Sequence, residues 1–326
     1  MKRREFITLV GGAAAWPLAA RAQNALPVVA FLSVGSPDVL ADRLAGFRKG
    51  LNQAGFIEGQ NVTVEYHWFN GQYEGLTPVL EDLNHGRVAA IAIVGSTPIS
   101  LAARKTVATT PIVFGVAEDP VSLGLVSSLA YPGGNATGIN FQAIEIDTKR
   151  LNVMHDLVPK ARRVAVLLNP ANVRYTEATS RALAAAAPAI GVDLTFFKAS
   201  TPDDVDTAFA AMAREHAEAV FIATEAFFSS RAEQLSALAI RYRLPASSAA
   251  RELAHAGLLM TYGANFEAVA HQIGLYTGQI VKGAKPADLP VVQSDKFDLV
   301  INMKTAQVLD IAVPPMLLAR TDEVIE

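Results

Sequence analysis

Residues 87–126 read RVAAIAIVGSTPISLAARKTVATTPIVFGVAEDPVSLGLV. Two unbroken apolar runs, Val88 to Val94 and Ile112 to Val116, each end in small or acidic residues followed by proline. Short apolar runs alternating with a helical pattern read as strands buried on both faces of a parallel sheet. Each strand would empty onto a helix start, with Thr97 capping before Pro98 and Asp119 before Pro120, where proline is well tolerated. The device recurs at Ser36-Pro37 after Val28 to Val34, and at Asn169-Pro170 after Val164 to Leu168. Taken singly, each is a helix-start signal. All four together would lie on one rim of their sheets, where open α/β sheets hold ligands and helix N-termini offer free N–H groups.

Working outward, the chain repeats itself. RRVAVLLNPAN at 162–172 echoes PVVAFLSVGSPD at 27–38, and each precedes a helix-ending glycine, Gly191 and Gly55. Asp193 to Phe197 matches Val62 to Tyr66, Ala219 to Ala223 matches Ala90 to Val94, and Leu244 to Ser247 matches Pro111 to Phe114. The expected fold is α/β, with two similar doubly wound parallel-sheet lobes joined by a three-strand hinge. Residues 27–139 with 264–291 form the first lobe, and 140–263 with 292–326 the second. The hinge crossings fall near Asn140, Tyr262 and Val292, and the facing strand ends enclose a cleft suited to a small ligand.

Composition bounds the function. A chain of 326 residues, 51% hydrophobic, can bury two cores. No stretch after residue 25 reaches the roughly 18 apolar residues of a membrane span. There is no cysteine, which excludes disulfides, thiol catalysis and thiolate metal sites. Met1 to Ala22, MKRREFITLVGGAAAWPLAARA, has a basic start, a mildly apolar middle and a small-residue Ala20-Arg21-Ala22 end, the pattern of an export signal removed from the mature protein. Arg3-Arg4 followed by Phe6 and Ile7 resembles a twin-arginine signal, so the expected location is the periplasm. Loss of residues 1–22 takes away four basic groups and one acidic, leaving a net charge of −6. Nucleic acid and anionic membrane are poor partners for such a surface.

Chemistry-bearing motifs are absent. There is no GxGxxG after a strand, no GxxxxGK[ST], no GxSxG elbow and no HExxH, and the six histidines are scattered without ligand spacing. No metal, cofactor or catalytic residue is assigned. Glu118-Asp119 with Glu225 are the only candidates for paired carboxylates, and an enzyme on this frame is the lesser alternative. A ligand-sensing module for a signalling receptor is the other.

Several long stretches carry a family resemblance: GFRKGLNQAGFIEGQNVTVEY at 46–66, GSTPISLAARKTVATTPIVFGVAEDPVSLGLVSSLAYPGGNATGI at 95–139, TYG at 261–263 and KPADLPVVQSDKFDLVINMKTAQVLDIAVPPMLLARTDEVIE at 285–326. The chain resembles the substrate-binding proteins of ABC importers with the type I periplasmic binding protein fold. The resemblance implies a periplasmic receptor that closes on a solute and docks on a membrane permease, and its members include binders of aromatic amino acids. Thr224-Glu225-Ala226 departs from the Thr-Asp-Asn type segment of those binders.

The solute expected from the residues is small, carboxylate-bearing and optionally aromatic, bound by a monomer. Ser33, Ser36, Ser96 and Thr97 would offer hydroxyls and helix-start amides to a carboxylate, and Asp119 would accept from an ammonium or hydroxyl. From the second lobe, Asn169 and Asn172 would contribute amides while Thr224, Glu225 and Ser247 line the matching strand ends. Phe227, Phe228 and Tyr262 are candidates to stack on a flat ligand body. Glu118, one of two adjacent acids, is expected to face solvent.

Overall fold

In the computed structural model, which describes residues 26–326, the apolar runs become strands with both faces covered. The export signal expected over residues 1–22 lies outside the described residues. The first sheet holds β1 (Val28–Ser33), β2 (Thr63–Trp68), β3 (Ala90–Ile93), β4 (Ile112–Val116), β5 (Ala136–Asn140) and the late β11 (Val292–Gln293). Their order is β11-β5-β4-β3-β1-β2, and every pair is parallel. The second sheet holds β6 (Arg163–Leu168), β7 (Asp193–Lys198), β8 (Ala219–Ile222), β9 (Ala246–Ser248), β10 (Met260–Ala264), β12 (Phe297–Asn302) and β13 (Glu323–Ile325). It runs β13-β12-β10-β9-β8-β6-β7 and is parallel except where β10 meets β12.

The first lobe carries α1 (Ala41–Gln53), α2 (Leu76–Leu83) and α3 (Thr97–Thr106). The second carries α4 (Ala143–Leu157), α5 (Val173–Ile190), α6 (Pro202–Arg214), α7 (Ala226–Ser229), α8 (Ala232–Arg241) and α9 (Arg251–His255). α10 (Phe266–Val281) returns to the first lobe, and α11 (Met303–Val308) and α12 (Pro315–Leu318) follow β12. Side chains alternate across each strand. Leu32, Ile91 and Ile93 therefore pack towards Leu80 and Ile99, while Phe31 and Ala92 pack on the other face with Phe47 and Ile273.

Glycine brings α10 home. A Cβ at Gly46, Gly50 or Gly274 would run into the backbone carbonyl of Glu267, His271 or Phe47, so α1 and α10 touch backbone to backbone. This contact anchors a helix that follows β10 of the second lobe onto the first.

The three crossings fall within a few residues of their expected places. β10 lies wholly in the second sheet, with Tyr262 opposite Leu299, so the chain passes between lobes at Asn265 and not at Tyr262. Val292 and Gln293 pair with Ile139 and Asn140 of the first sheet, which moves the last crossing to residues 294–296. Asn140 itself pairs with Val116. Gln142, in the left-handed region at φ 52°, ties two crossings together by donating its side-chain amide to the Ser294 carbonyl at 3.2 Å.

Helix starts also differ from expectation. Ser96, not Thr97, caps α3, accepting from the Ile99 amide at 3.4 Å, with Pro98 in the first turn. Ser36-Pro37 and Asn169-Pro170 open turns, and the following helices begin at Ala41 and Val173, the latter capped by Asn172. Asp119-Pro120 starts no helix. Asp119 Oδ1 accepts from the Val121 amide at 3.0 Å, and this local bond closes a turn that competes with helix.

Candidate functional site

Between the lobes lies a narrow cleft, with a cavity of about 20 Å³, lined from both sides. The first lobe contributes Arg43 from α1, Thr97 at the head of α3 and Ala117 after β4. The second contributes Asn172, Thr224, Glu225 and Ser248, while Phe141 and Phe266 stand at two of the crossings. Those two rings meet edge to face, with centroids 5.2 Å apart, and the Arg43 guanidinium sits over Phe266 at 4.1 Å.

Arg43 is 4% exposed and reaches across the cleft, forming a short ion pair with Glu252 and donating to Ser229 Oγ at 3.4 Å. Its Nε has no hydrogen-bond partner. Tyr73 of the first lobe donates to Glu225 of the second at 3.3 Å, and Arg231 donates to the Asn70 carbonyl at 3.0 Å. The lobes are therefore drawn together across the cleft.

Two acids stand in or beside it, Glu225 in the lining and Glu118 behind Thr97. Glu118 is buried, accepts from the Thr97 hydroxyl at 2.6 Å through Oε2, and leaves Oε1 without a partner. Burial pushes its carboxyl above the usual carboxylate range, against the pull of Thr97 and of the Asn172 amide. Glu225 is pushed up to about 7, by burial first and by the charge of Glu118 second, while Tyr73 and Asn172 favour its ionised form. Expecting Glu118 to face solvent is thus overturned, and with it the assignment of Asp119 to the cleft. Asp119 is exposed and spends its carboxylate on its own turn.

Beneath Thr224 lies a buried ionic network, in which only the Arg150 Nε is left without a partner. Asp147 and Arg150 on α4 are both wholly buried and pair at 3.0 Å. Asp147 also accepts from the hydroxyls of Thr179 at 3.1 Å, Thr224 at 3.0 Å and, in a short bond, Tyr175. Arg150 donates to the Ile222 carbonyl at 2.9 Å and to Thr224 Oγ1 at 3.2 Å, and lies 4.1 Å over the Phe221 ring. Burial raises the Asp147 carboxyl and lowers the Arg150 guanidinium, and each charge opposes the shift of the other. The Thr224 hydroxyl is consumed, and its amide donates to Tyr175 Oη at 2.8 Å.

Of the residues assigned from sequence, the structure brings Thr97, Asn172, Thr224 and Glu225 to the cleft lining. Ser96 caps α3 beside it. Ser33 is buried and near its own loop at Gly35 N, 3.4 Å, and Ser36 accepts the Leu40 amide through its carbonyl. Asn169 is spent on the Ala171 amide at 3.0 Å, and Tyr262 packs half-buried against the core. Ser247 points into the core towards Met154 Sδ at 3.1 Å, while its neighbour Ser248 lines the cleft. Phe227 and Phe228 are core residues, 1% exposed. Arg43, Phe141 and Phe266 are cleft residues that sequence reasoning missed.

Two α/β lobes of this order, joined by three crossings around a cleft, define the type I periplasmic binding protein fold of substrate-binding proteins. Residues 27–325 match the family described as ABC transporter substrate binding protein, and the chain belongs to it. A "Tyrosine-binding protein" of Clostridioides difficile (strain R20291) is 24% identical over 265 residues, spanning 81% of this chain and 75% of that protein. Among solved structures, the ABC domain from Streptococcus pneumoniae in complex with L-Trp aligns with a TM-score of 0.82 at 20% identity, covering 92% of this chain and 100% of that one. The ligand-free, open structure of a substrate binding protein with adhesive properties from Clostridium difficile aligns with a TM-score of 0.64 at 22% identity, covering 92% and 99%. The family is one of solute-binding proteins, not of enzymes.

Proposed function

We propose that this chain is the periplasmic solute receptor of an ABC importer and closes around a small carboxylate-bearing solute with an aromatic body. The observation that carries the reading is the cleft itself, with the free Nε of Arg43 beside the Phe141 and Phe266 rings and contributions from both lobes. A solute carboxylate on Arg43, with its ring against Phe141 and Phe266, would engage both halves at once. The relatives named for tyrosine and solved with L-Trp support such a solute. The higher likeness to the Trp-bound structure than to the open one supports a closed arrangement of the lobes here.

Closure follows from differential affinity, since only the closed form lets one solute touch both lobes. A micromolar solute needs roughly 8 kcal/mol, within reach of one charge-assisted pair plus a buried ring. The closed face would then be what the permease recognises. A thermal-shift screen against L-tyrosine, L-tryptophan, L-phenylalanine and their des-amino acids tests the reading. A ligand at 100 times its Kd stabilises by about 2.7 kcal/mol, and the melting temperature should rise accordingly. If no member of the panel raises it, the reading fails.

A further inference from the structure

The Arg43 guanidinium is held from several sides. It sits over the Phe266 ring, a Cβ added at Gly95 would come within 3.2 Å of its Nη1, and its Nη2 meets Glu252 and Ser229 of the second lobe. Its Nε has no hydrogen-bond partner. Glu252 stands apart from the solute. It is absent from the cleft lining and faces an outer groove with Asp38, Asp42 and Glu233. His255, the basic group among the described residues of that groove, is taken by Glu323. Arg43 is therefore the cation that answers Glu252, and it comes from the other lobe. Tyr73 to Glu225 and Arg231 to Asn70 also cross between the lobes, but neither joins opposite full charges. The side chains of the Arg43 and Glu252 pair are only 5% and 17% exposed, and removing one partner from so dry a pair is costly.

We propose that Glu252 is a positioning residue for solute capture, drawing the Arg43 guanidinium across from the first lobe as the lobes close and leaving Nε free for the solute. The inference rests on the receptor reading, with Arg43 as the anchor of the solute carboxylate, and deepens it. Opening the lobes parts Arg43 from both Glu252 and Ser229, so this clasp favours the closed arrangement before any solute contact is counted. Apparent affinity scales with the fraction of molecules in the binding-competent arrangement. A residue that never touches the solute thereby sets how long the solute stays. The clasp acts on release more than on encounter, because it forms once the lobes have met.

Glu252→Gln keeps the shape of the side chain and removes its charge, while Glu252→Asp keeps the charge on a shorter stem. Stopped-flow binding of L-tyrosine to the parent and to both variants separates the rates. The expected result is roughly tenfold faster release in Glu252→Gln, an association rate within about twofold of the parent, and partial recovery in Glu252→Asp. A residue that served only the stability of α9 would lower the melting temperature and leave the release rate alone. The chain has no cysteine, so nitroxides on Glu81→Cys and Arg181→Cys, exposed on α2 and α5, report lobe separation in the solute-free protein by pulsed electron resonance. Glu252→Gln is expected to lengthen and broaden that distance. An unchanged release rate or an unchanged distance overturns the clasp and leaves the receptor reading standing. If L-tyrosine does not bind the parent, the receptor reading loses its solute, and the nitroxide distance alone decides the clasp.

Discussion

Asp147 and Glu118 are two buried acids on opposite lobes, and they differ in how completely they are answered. Asp147 meets a guanidinium and three hydroxyls, so both of its oxygens are answered. Glu118 meets one hydroxyl and keeps an oxygen free at the edge of a cleft. A saturated acid can only hold its surroundings in place, whereas an unsaturated one has capacity left for a visitor. Burial alone does not separate structural acids from binding ones; unfilled hydrogen-bonding capacity does.

The sharpest way to break the comparison is Asp147→Ala, which strands the fully buried Arg150. It should cost about 3–5 kcal/mol in urea unfolding, because the charge left behind has no solvent to turn to. An effect near zero would show that the network is not what fixes the end of β8. Next comes Arg43→Met, which removes the pair with Glu252. It should weaken L-tyrosine binding by about 2–3 kcal/mol in calorimetry and also lower the melting temperature in the absence of solute, because Glu252 is left without its partner.

The Glu225 carboxyl sharpens the contrast through pH. Its folded-state value of about 7 lies above the ordinary 4.5, so the folded chain holds a proton that the unfolded chain releases between those values. Its contribution to stability is complete below about pH 4.5 and is lost as pH rises through 7. Glu225→Gln should therefore melt higher than the parent at pH 8, by about 1–2 °C for ~1 kcal/mol in a chain of this size, and equally at pH 4.5. The smallest effect belongs to Asp119→Ala, which loses one exposed turn bond: about 0.5–1 kcal/mol in thermal unfolding and no change in calorimetric affinity.

Much of the architecture was legible because it rests on local signals. Unbroken apolar runs such as AIAI at β3, and Gly55 and Gly191 in left-handed conformation at helix ends, need no knowledge of the rest of the chain. The site was less legible, since its membership depends on direction. Ser247 and Ser248 differ by one step of a strand, and that step decides between core and cleft. Glu118 and Asp119 present the same ambiguity, resolved by Asp119 turning back on the Val121 amide. Arg43 is spaced like any helix cation in sequence, and only the return of α10 places Phe266 beneath it. Proline after a polar residue marked where each strand ends in a turn or a helix start, but Ser96 and Asn172 are the caps where Thr97 and Asn169 were expected, and Asp119 caps no helix.

The glycine contact between α1 and α10 bears on the order in which the molecule can be finished. Nothing emerging from the ribosome before Val281 can complete the first half, because its closing helix and edge strand come from residues 266–293. The second half waits even longer, for β13 at Glu323–Ile325. The first half therefore cannot finish its packing before most of the second has been made, since residues 266–293 follow residues 140–264 in the chain.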